Sequence, residues 1–533
     1  MLHFEDRQSS KKGCYTIKLL VLLPLLLLTG CDSWDAHKER NITMEAFSDM
    51  KTPNFIFDLK VIRQQLHEMV KAEQGSTEAD KQTCNYYREN GHPLLWIDDM
   101  GVDERADSLM AWLQTVKEIG FSEQSFDVAN IIQDMQRMRS LDFENGRNDV
   151  NHTAARLEYH LTKACLRYCY GQCFGFINPH KVFNELDAEK TDTLHRVIKY
   201  RELFDVKMDL PGPDYVQTIL HKVRTDSIAA YLREIQPQDK FYSQLKKMLQ
   251  TAPTAEQRRR IIVNMERSRW RLHQPIPAEG KRVVVNIPAY HLYASGNDEQ
   301  LDMRVVCGNV KTKTPLLSSY IEWMEVNPQW VIPTSIIENE VSHRAGDSAY
   351  FARNKYRIID KATNQQVDIR HVTKQMLLSG KYRVAQDGGA GNSLGRVVFR
   401  FKNKFSVFLH DTSNPGAFER DSRAISHGCV RVSKPFDLAR FVLDNPDEWL
   451  LDRIRIAMGR PAETERGQQY VQSHPDTQER LKLIGYVPVK PRVPIYIIYY
   501  TLWPDTDGRL ETWPDVYGYD DVVWNHLKPY MKT

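Results

Sequence analysis

Between residues 55 and 270, apolar side chains recur three and four positions apart, the period of an amphipathic helix. In the stretch 106–113, Ala106, Leu109, Met110 and Leu113 keep that spacing and run on into Val116 and Ile119, with Gly120 as the stop signal. Residues 152–170, 217–232 and 241–249 predict three more helices. Residues 256–270 predict a charged helix whose Arg258, Arg259, Arg260, Arg267 and Arg269 read as a solvated face, with anionic lipid headgroups as a second reading. Near Lys281 the period changes. Arg282-Val283-Val284-Val285-Asn286-Ile287 is a β-branched run that stops at Pro288. Leu292, then residues 303–308 and 330–333, continue the strand pattern. Residues 396–410 predict a hairpin: Val397, Phe399 and Phe401 alternate, Asn403-Lys404 turns, and Phe405, Val407 and Leu409 alternate back.

Ahead of that hairpin, from about residue 338 to 395, lies a polar stretch with Tyr350, Tyr356, Tyr382 and Gly388-Gly389-Ala390-Gly391. Such a stretch inside a β domain is commonly functional and predicts a lid-like insertion. Residues 493–500 are a further strand. The expected class is α+β: an all-helical domain over 55–275, then a mainly β domain over 280–533 whose C-terminal strands occupy about 490–533.

The start of the chain departs from this pattern. Arg7, Lys11 and Lys12 precede an apolar run over 17–28, about twelve residues, which suits a secretory signal core better than a membrane span. The run ends in Leu28-Thr29-Gly30-Cys31, which resembles the lipobox of bacterial lipoproteins. That resemblance implies cleavage before Cys31, acylation of Cys31, and stable anchoring through several chains. An uncleaved signal anchor is the alternative; either places the body of the protein outside the cytoplasm. Residues 32–54 read as a tether. A length of 533 residues suggests two to four domains. With 72 Lys plus Arg against 69 Asp plus Glu, there is no electrostatic case for nucleic acid as a partner. Cys165, Cys169 and Cys173 are four apart on one apolar helix. Core packing is the favoured reading there, ahead of a disulfide to Cys84 or a metal site.

The candidate chemistry sits at Phe408-Leu409-His410-Asp411-Thr412 and, after fifteen intervening residues from His410, Ser426-His427-Gly428-Cys429-Val430-Arg431. A thiol at its ordinary pKa of about 8.5 is mostly protonated at neutral pH. A neighbouring imidazole can take the proton and give a thiolate–imidazolium pair, worth roughly 2 kcal/mol or more if that pair is to dominate. His410 falls at a strand end, where a side chain is held stiffly. Gly428 lets the backbone approach a substrate, and N–H groups of the turn suit an oxyanion hole. Ser433-Lys434-Pro435-Phe436 suits a helix start, which places the nucleophile between a strand and a helix. Asp411 is a candidate to orient His410 through its carboxylate or its carbonyl.

These residues resemble the YkuD-type L,D-transpeptidases, whose signature is a His, a spacer of about fifteen, then Ser/Thr-His-Gly-Cys, an apolar residue and Asn or Arg. Arg431 in the last position, with Asn264-Met265-Glu266-Arg267, Asn327-Pro328, Asn392 and Leu394-Gly395-Arg396, resembles the large periplasmic YcbB-like branch. The resemblance implies a periplasm-facing acyltransferase acting on peptidoglycan stem peptides. Cys429 would be the nucleophile and His410 the base for the thiol and later for the attacking amine. Ser426, His427, Gly428 and Arg431 would bind substrate, and the product would be a 3→3 crosslink. It implies no metal and no cofactor, acylation by carbapenems, and envelope proteins as candidate partners. An L,D-carboxypeptidase or endopeptidase using the same Cys is one alternative, and a non-catalytic peptidoglycan-binding lipoprotein is another. Many relatives carry a peptidoglycan-binding module before the Asn-Met-Glu-Arg helix; the interval from Leu249 to Asn264 leaves no room for one. The spacer 414–423 also departs from the family pattern.

Overall fold

The computed structural model describes residues 56–531 apart from 76, 90, 193, 195, 274–278 and 506. The expected signal segment, Cys31 and the whole of the tether lie outside the described residues. The chain forms two compact units, one helical and one mainly β. The helical unit comprises the chain through Asn178, then Met208–His273, then Asp521 onward; the β unit comprises Pro179–Lys207 and Gln274–Asp520. The single boundary expected at 275–280 is thus corrected: the chain changes unit at three further points. Two short segments cause this. Tyr530 packs on Phe121, Phe126 and Phe176, with ring centroids 5.7, 6.1 and 4.8 Å away, so the C-terminus belongs with the helices. Strand β1 (Phe204–Asp205) pairs in parallel with Leu316 and Leu317 of the β unit, and Phe204 is buried.

In the helical unit, helices α1 (Leu59–Ala72), α2 (Glu78–Arg88), α3 (Glu104–Leu113) and α4 (Val128–Ser140) pack against α5 (Val150–Phe174). A helix wrapped on most sides must be apolar nearly all round, and α5 buries residues along its whole length. Asp149 caps its first turn by accepting from His152 N–H. Within α5, Glu158 is fully buried and accepts from the N–H groups of Leu95 (2.6 Å) and Trp96 (2.9 Å) and the Tyr87 hydroxyl (2.7 Å), which ties that loop to the helix. Cys165, Cys169 and Cys173 are buried free thiols, as is Cys84. The helix expected over 217–232 is two, α6 (Pro213–Arg224) and α7 (Ile228–Glu234), broken where Asp226 takes φ +53°. Three residues separate α8 (Lys240–Thr251) from α9 (Ala255–Arg269). The solvated-face reading of α9 fails at its end. Arg267 and Arg269 are buried, and the Arg269 guanidinium lies 5.1–5.6 Å from the rings of Tyr242, Phe176 and Phe121.

The β unit is built on one sheet. Its strands are β2 (Arg282–Asn286), β3 (His291–Gly296), β4 (Glu299–Gly308) and β5 (Leu316–Val326), then β9 (Val397–Phe401), β10 (Leu409–His410), β11 (Ala424–Ser426), β12 (Val430–Val432) and β13 (Tyr486–Ile498). The order is β9-β10-β12-β4-β3-β2-β13-β5-β1, β11 pairs with β4, and β9 also pairs with β5, which closes the sheet on itself. The expected hairpin of 396–410 is β9–β10, with Val398 opposite His410 and Phe399 opposite Leu409.

The polar stretch is no open loop. Strands β6 (Trp330–Val331), β7 (Tyr356–Asp360) and β8 (Tyr382–Gln386) form a small antiparallel sheet with helices α10 (Thr334–Asn339), α11 (Ser348–Arg353) and α12 (Lys374–Leu378). Its own core includes Ile337, Val341, Phe351, Ile358, Leu377 and Val384.

Candidate active site

Strand β10 ends in His410, and β12 begins one residue after Cys429. These strands pair in parallel, Leu409 opposite Val430 and His410 opposite Arg431. Paired residues share a face and alternate residues return to it. Leu409 and Val430 therefore enter the core, fully buried, while His410 and Arg431 lie toward the other face, and the charge of Arg431 reaches the Cys429 thiol just before the strand. Arg400 joins them from β9, at a β-bulge between Arg400 and Phe401 that re-aims its side chain. Its guanidinium lies 4.4 Å from the centre of the Phe408 ring and pairs with Glu325 at 2.8 Å.

The loop that carries Cys429 lies between β11 and β12, not between a strand and a helix as expected, because residues 430–432 are claimed by β10 and β4. The helix α13 (Pro435–Val442) starts after that strand with no side-chain cap, so Ser433 does not cap it. Ser426, expected to bind substrate, is buried and shapes the loop. Its Oγ donates to the Cys429 carbonyl (2.6 Å) and accepts from Gly428 N–H (3.1 Å). Gly428 takes φ +119°, which a side chain rarely adopts, and its carbonyl accepts from Thr314 Oγ1 at 2.8 Å. The amide of Gly428 is thus committed to the loop. The Cys429 N–H has no hydrogen-bond partner among the described residues.

His410 is buried, and its Nδ1 lies 2.5 Å from the Asp411 carbonyl oxygen. A carbonyl only accepts, so Nδ1 carries the hydrogen and Nε2 keeps a lone pair. The backbone carbonyls of Asp411 and Leu394, not the Asp411 carboxylate, orient the ring. The carboxylate accepts from Arg396 N–H at 2.8 Å, and a Cβ on Gly395 would fall 2.4 Å from it. Burial pushes the His410 pKa down to about 3, aided by the charge of Arg431. Burial pushes the Cys429 thiol up to about 11, against Phe408 N–H, Arg400 and Arg431, which favour the thiolate. Both shifts favour a neutral thiol beside a neutral imidazole over the thiolate–imidazolium pair. The thiol is directed to the Ser406 carbonyl at 3.8 Å, and Ser406 itself has φ +54°.

Arg431 is largely buried, its Nε lacks a hydrogen-bond partner, and among the described residues no carboxylate lies within ion-pair distance. His427 is half exposed and meets Glu340 of the insertion, Nε2 to Oε1 at 2.5 Å. Arg400, Ser406 and Glu340 escaped the sequence reading. A bulge, a left-handed loop residue and a contact across 87 residues leave no local signature.

Residues 280–461 match the L,D-transpeptidase catalytic domain (YkuD) and residues 81–249 match the Scaffold domain. The chain thus has the two-part architecture of the YcbB-like branch, a Scaffold domain followed by an L,D-transpeptidase catalytic domain. Among its relatives, a protein of Haemophilus influenzae provisionally named L,D-transpeptidase is 26% identical over 338 residues, 60% of this chain. The match spans 62% of that relative's length. Two solved structures, an L,D-transpeptidase from Mycobacterium smegmatis and L,D-transpeptidase 1 of Mycobacterium tuberculosis, are each 13% identical over 41% of this chain. They are covered over 59% and 60% of their lengths with TM-scores of 0.18 and 0.14, overlaps too small to bear on the fold. Among the described residues no helix is long and apolar enough to cross a membrane.

Proposed function

We propose that the chain is a peptidoglycan L,D-transpeptidase that forms 3→3 crosslinks through a thioacyl-enzyme on Cys429. The observation that supports this reading is the parallel pairing that sets His410 opposite Arg431, with Cys429 the residue just before that strand. Because the resting pair is neutral, the thiol proton moves as the sulfur attacks. His410 Nε2 takes it while Cys429 Sγ bonds to the carbonyl carbon of the donor's third residue, at its L-centre. The Cys429 N–H faces the developing oxyanion. His410 then protonates the leaving D-Ala amine. The side-chain amine of a diamino acid on a second stem attacks the thioester and releases the thiolate. Arg431, with no internal carboxylate, supplies a site for a carboxylate of the donor stem.

Placement at the periplasmic side of a membrane through lipid on Cys31, and acylation of Cys429 by carbapenems, belong to the same reading. The test is mass analysis of products from a defined tetrapeptide. Dimers joined third residue to third residue are expected from the wild type and none from Cys429→Ala. Tripeptide without dimer would make the enzyme an L,D-carboxypeptidase. Full activity in Cys429→Ala would refute the mechanism.

A further inference from the structure

The contact between His427 and Glu340 joins the nucleophile loop to the insertion, and no step above uses it. Both side chains are about half exposed, at 47% and 49%. An ion pair that open adds little stability, so its consequence is orientation. Both mounts are stiff. Glu340 closes α10, its N–H donates to the Ile336 carbonyl at 2.9 Å, and its neighbours Ile337 and Val341 are buried in the insertion's core. On the other side, the Ser426 carbonyl accepts from Asn309 N–H (3.0 Å) and Thr312 Oγ1 (2.9 Å), and the Gly428 carbonyl accepts from Thr314. His427 is fixed between those two anchored carbonyls.

We propose that Glu340 is a positioning residue for the transfer step: its carboxylate seats His427 so that His427 Nδ1 receives the proton of the incoming amine. The proposal rests on the thioacyl-enzyme reading given above. A carboxylate accepts only, so in the neutral ring Nε2 carries the hydrogen and Nδ1 holds the lone pair. The two histidines divide by access. His410 is 5% exposed and serves the sulfur from below. His427 stands two residues before Cys429 on the open side, where a second substrate arrives. In the step, the amine nitrogen bonds to the thioester carbonyl carbon. The C–S bond breaks with its electron pair leaving on Cys429 Sγ. The surplus proton of the nitrogen passes to His427 Nδ1 and then to solvent, and the thiolate is reprotonated from solvent through His410. The insertion therefore supplies part of the acceptor side.

The experiment uses the full chain with Glu340→Ala, Glu340→Gln, His427→Gln and the double variant Glu340→Ala/His427→Gln. Single-turnover mass spectrometry measures thioacylation by a tetrapeptide donor. A second phase measures how the thioacyl-enzyme divides between a tripeptide amine acceptor and water. A positioned base contributes roughly 10²–10⁴-fold, and loss of its orientation forfeits part of that. The expected result is thioacylation within about twofold of wild type and transfer to the amine slowed on the order of tenfold in Glu340→Ala. Glu340→Gln, whose amide oxygen still accepts from Nε2, recovers much of the transfer, and the double variant is no slower than His427→Gln alone. Unchanged transfer in Glu340→Ala overturns the proposal, as does a loss of thioacylation and transfer in equal measure. A wild type that never forms the thioacyl-enzyme instead refutes the reading on which the proposal stands.

Discussion

Replacing Ser426 by alanine separates a loop-shaping serine from a substrate-binding one. The side chain is 2% exposed, and its single oxygen bridges Gly428 N–H and the Cys429 carbonyl, at 3.1 and 2.6 Å. Alanine fits the space and removes both bonds. Each buried polar group deprived of its partner costs about 1–3 kcal/mol, so the pair should cost about 2–6 kcal/mol. In a domain of this size 1 kcal/mol moves Tm by about 2–4 °C, which predicts a fall on the order of 10 °C in the transition of the β unit. Calorimetry reads that transition, and single-turnover thioacylation reads the site. Because the loop carries the sulfur, thioacylation should slow while KM for the donor stays near wild type. Ser426→Thr, which keeps the hydroxyl, should restore most of both. A variant Ser426→Ala that melts with the wild type and shows only a raised KM would refute the argument and return Ser426 to the substrate.

Three further outcomes are expected. With its pKa pushed up to about 11, Cys429 in the free enzyme should be alkylated by iodoacetamide at a rate that still climbs past pH 9, followed by mass analysis of its peptide; a plateau near neutrality would show a resting ion pair instead. The His410 pKa lies near 3 folded against about 6.5 unfolded, so below about pH 6.5 the unfolded chain binds a proton that the native ring refuses. Its contribution is complete above pH 6.5 and is lost as pH falls toward 3, by about 1.4 kcal/mol per unit, and denaturant titrations across that window should lose this slope in His410→Gln. Phe351→Ala should cost about 3–5 kcal/mol, and hydrogen exchange should locate the loss in the insertion while β2, β5 and β13 keep their protection.

Periodicity revealed those parts of the molecule whose order is local. The hairpin over 396–410 and the run at 282–286 are visible because each strand alternates by itself, and the His410 to Cys429 spacing matters because two adjacent strands turn it into a shared face. The insertion read as polar because its core residues, such as Val341, Phe351 and Val384, are scattered among charged neighbours and meet only in three dimensions. Arg267 and Arg269 look solvated in a row of arginines, since nothing nearby announces the rings of Phe121, Phe176 and Tyr242. Ser433 looked like a cap because the pairing of 430–432 that shifts the helix start is set by β4, far upstream. The partner of His410 is legible only as a choice between two groups of Asp411, which the engagement of the carboxylate by Arg396 decides.

The place of Tyr530 sets the order in which the molecule can be assembled during synthesis. Its ring closes a cluster of Phe121, Phe126 and Phe176, and its carbonyl accepts from Ser122 N–H at 2.9 Å. A nascent chain emerging from a ribosome therefore carries the helical unit with an unfilled aromatic socket until Tyr530 itself has been made. The helices before Asn178 thus wait for a side chain that is made only after the β unit's Gln274–Asp520, and until then their aromatic rings stay open to water.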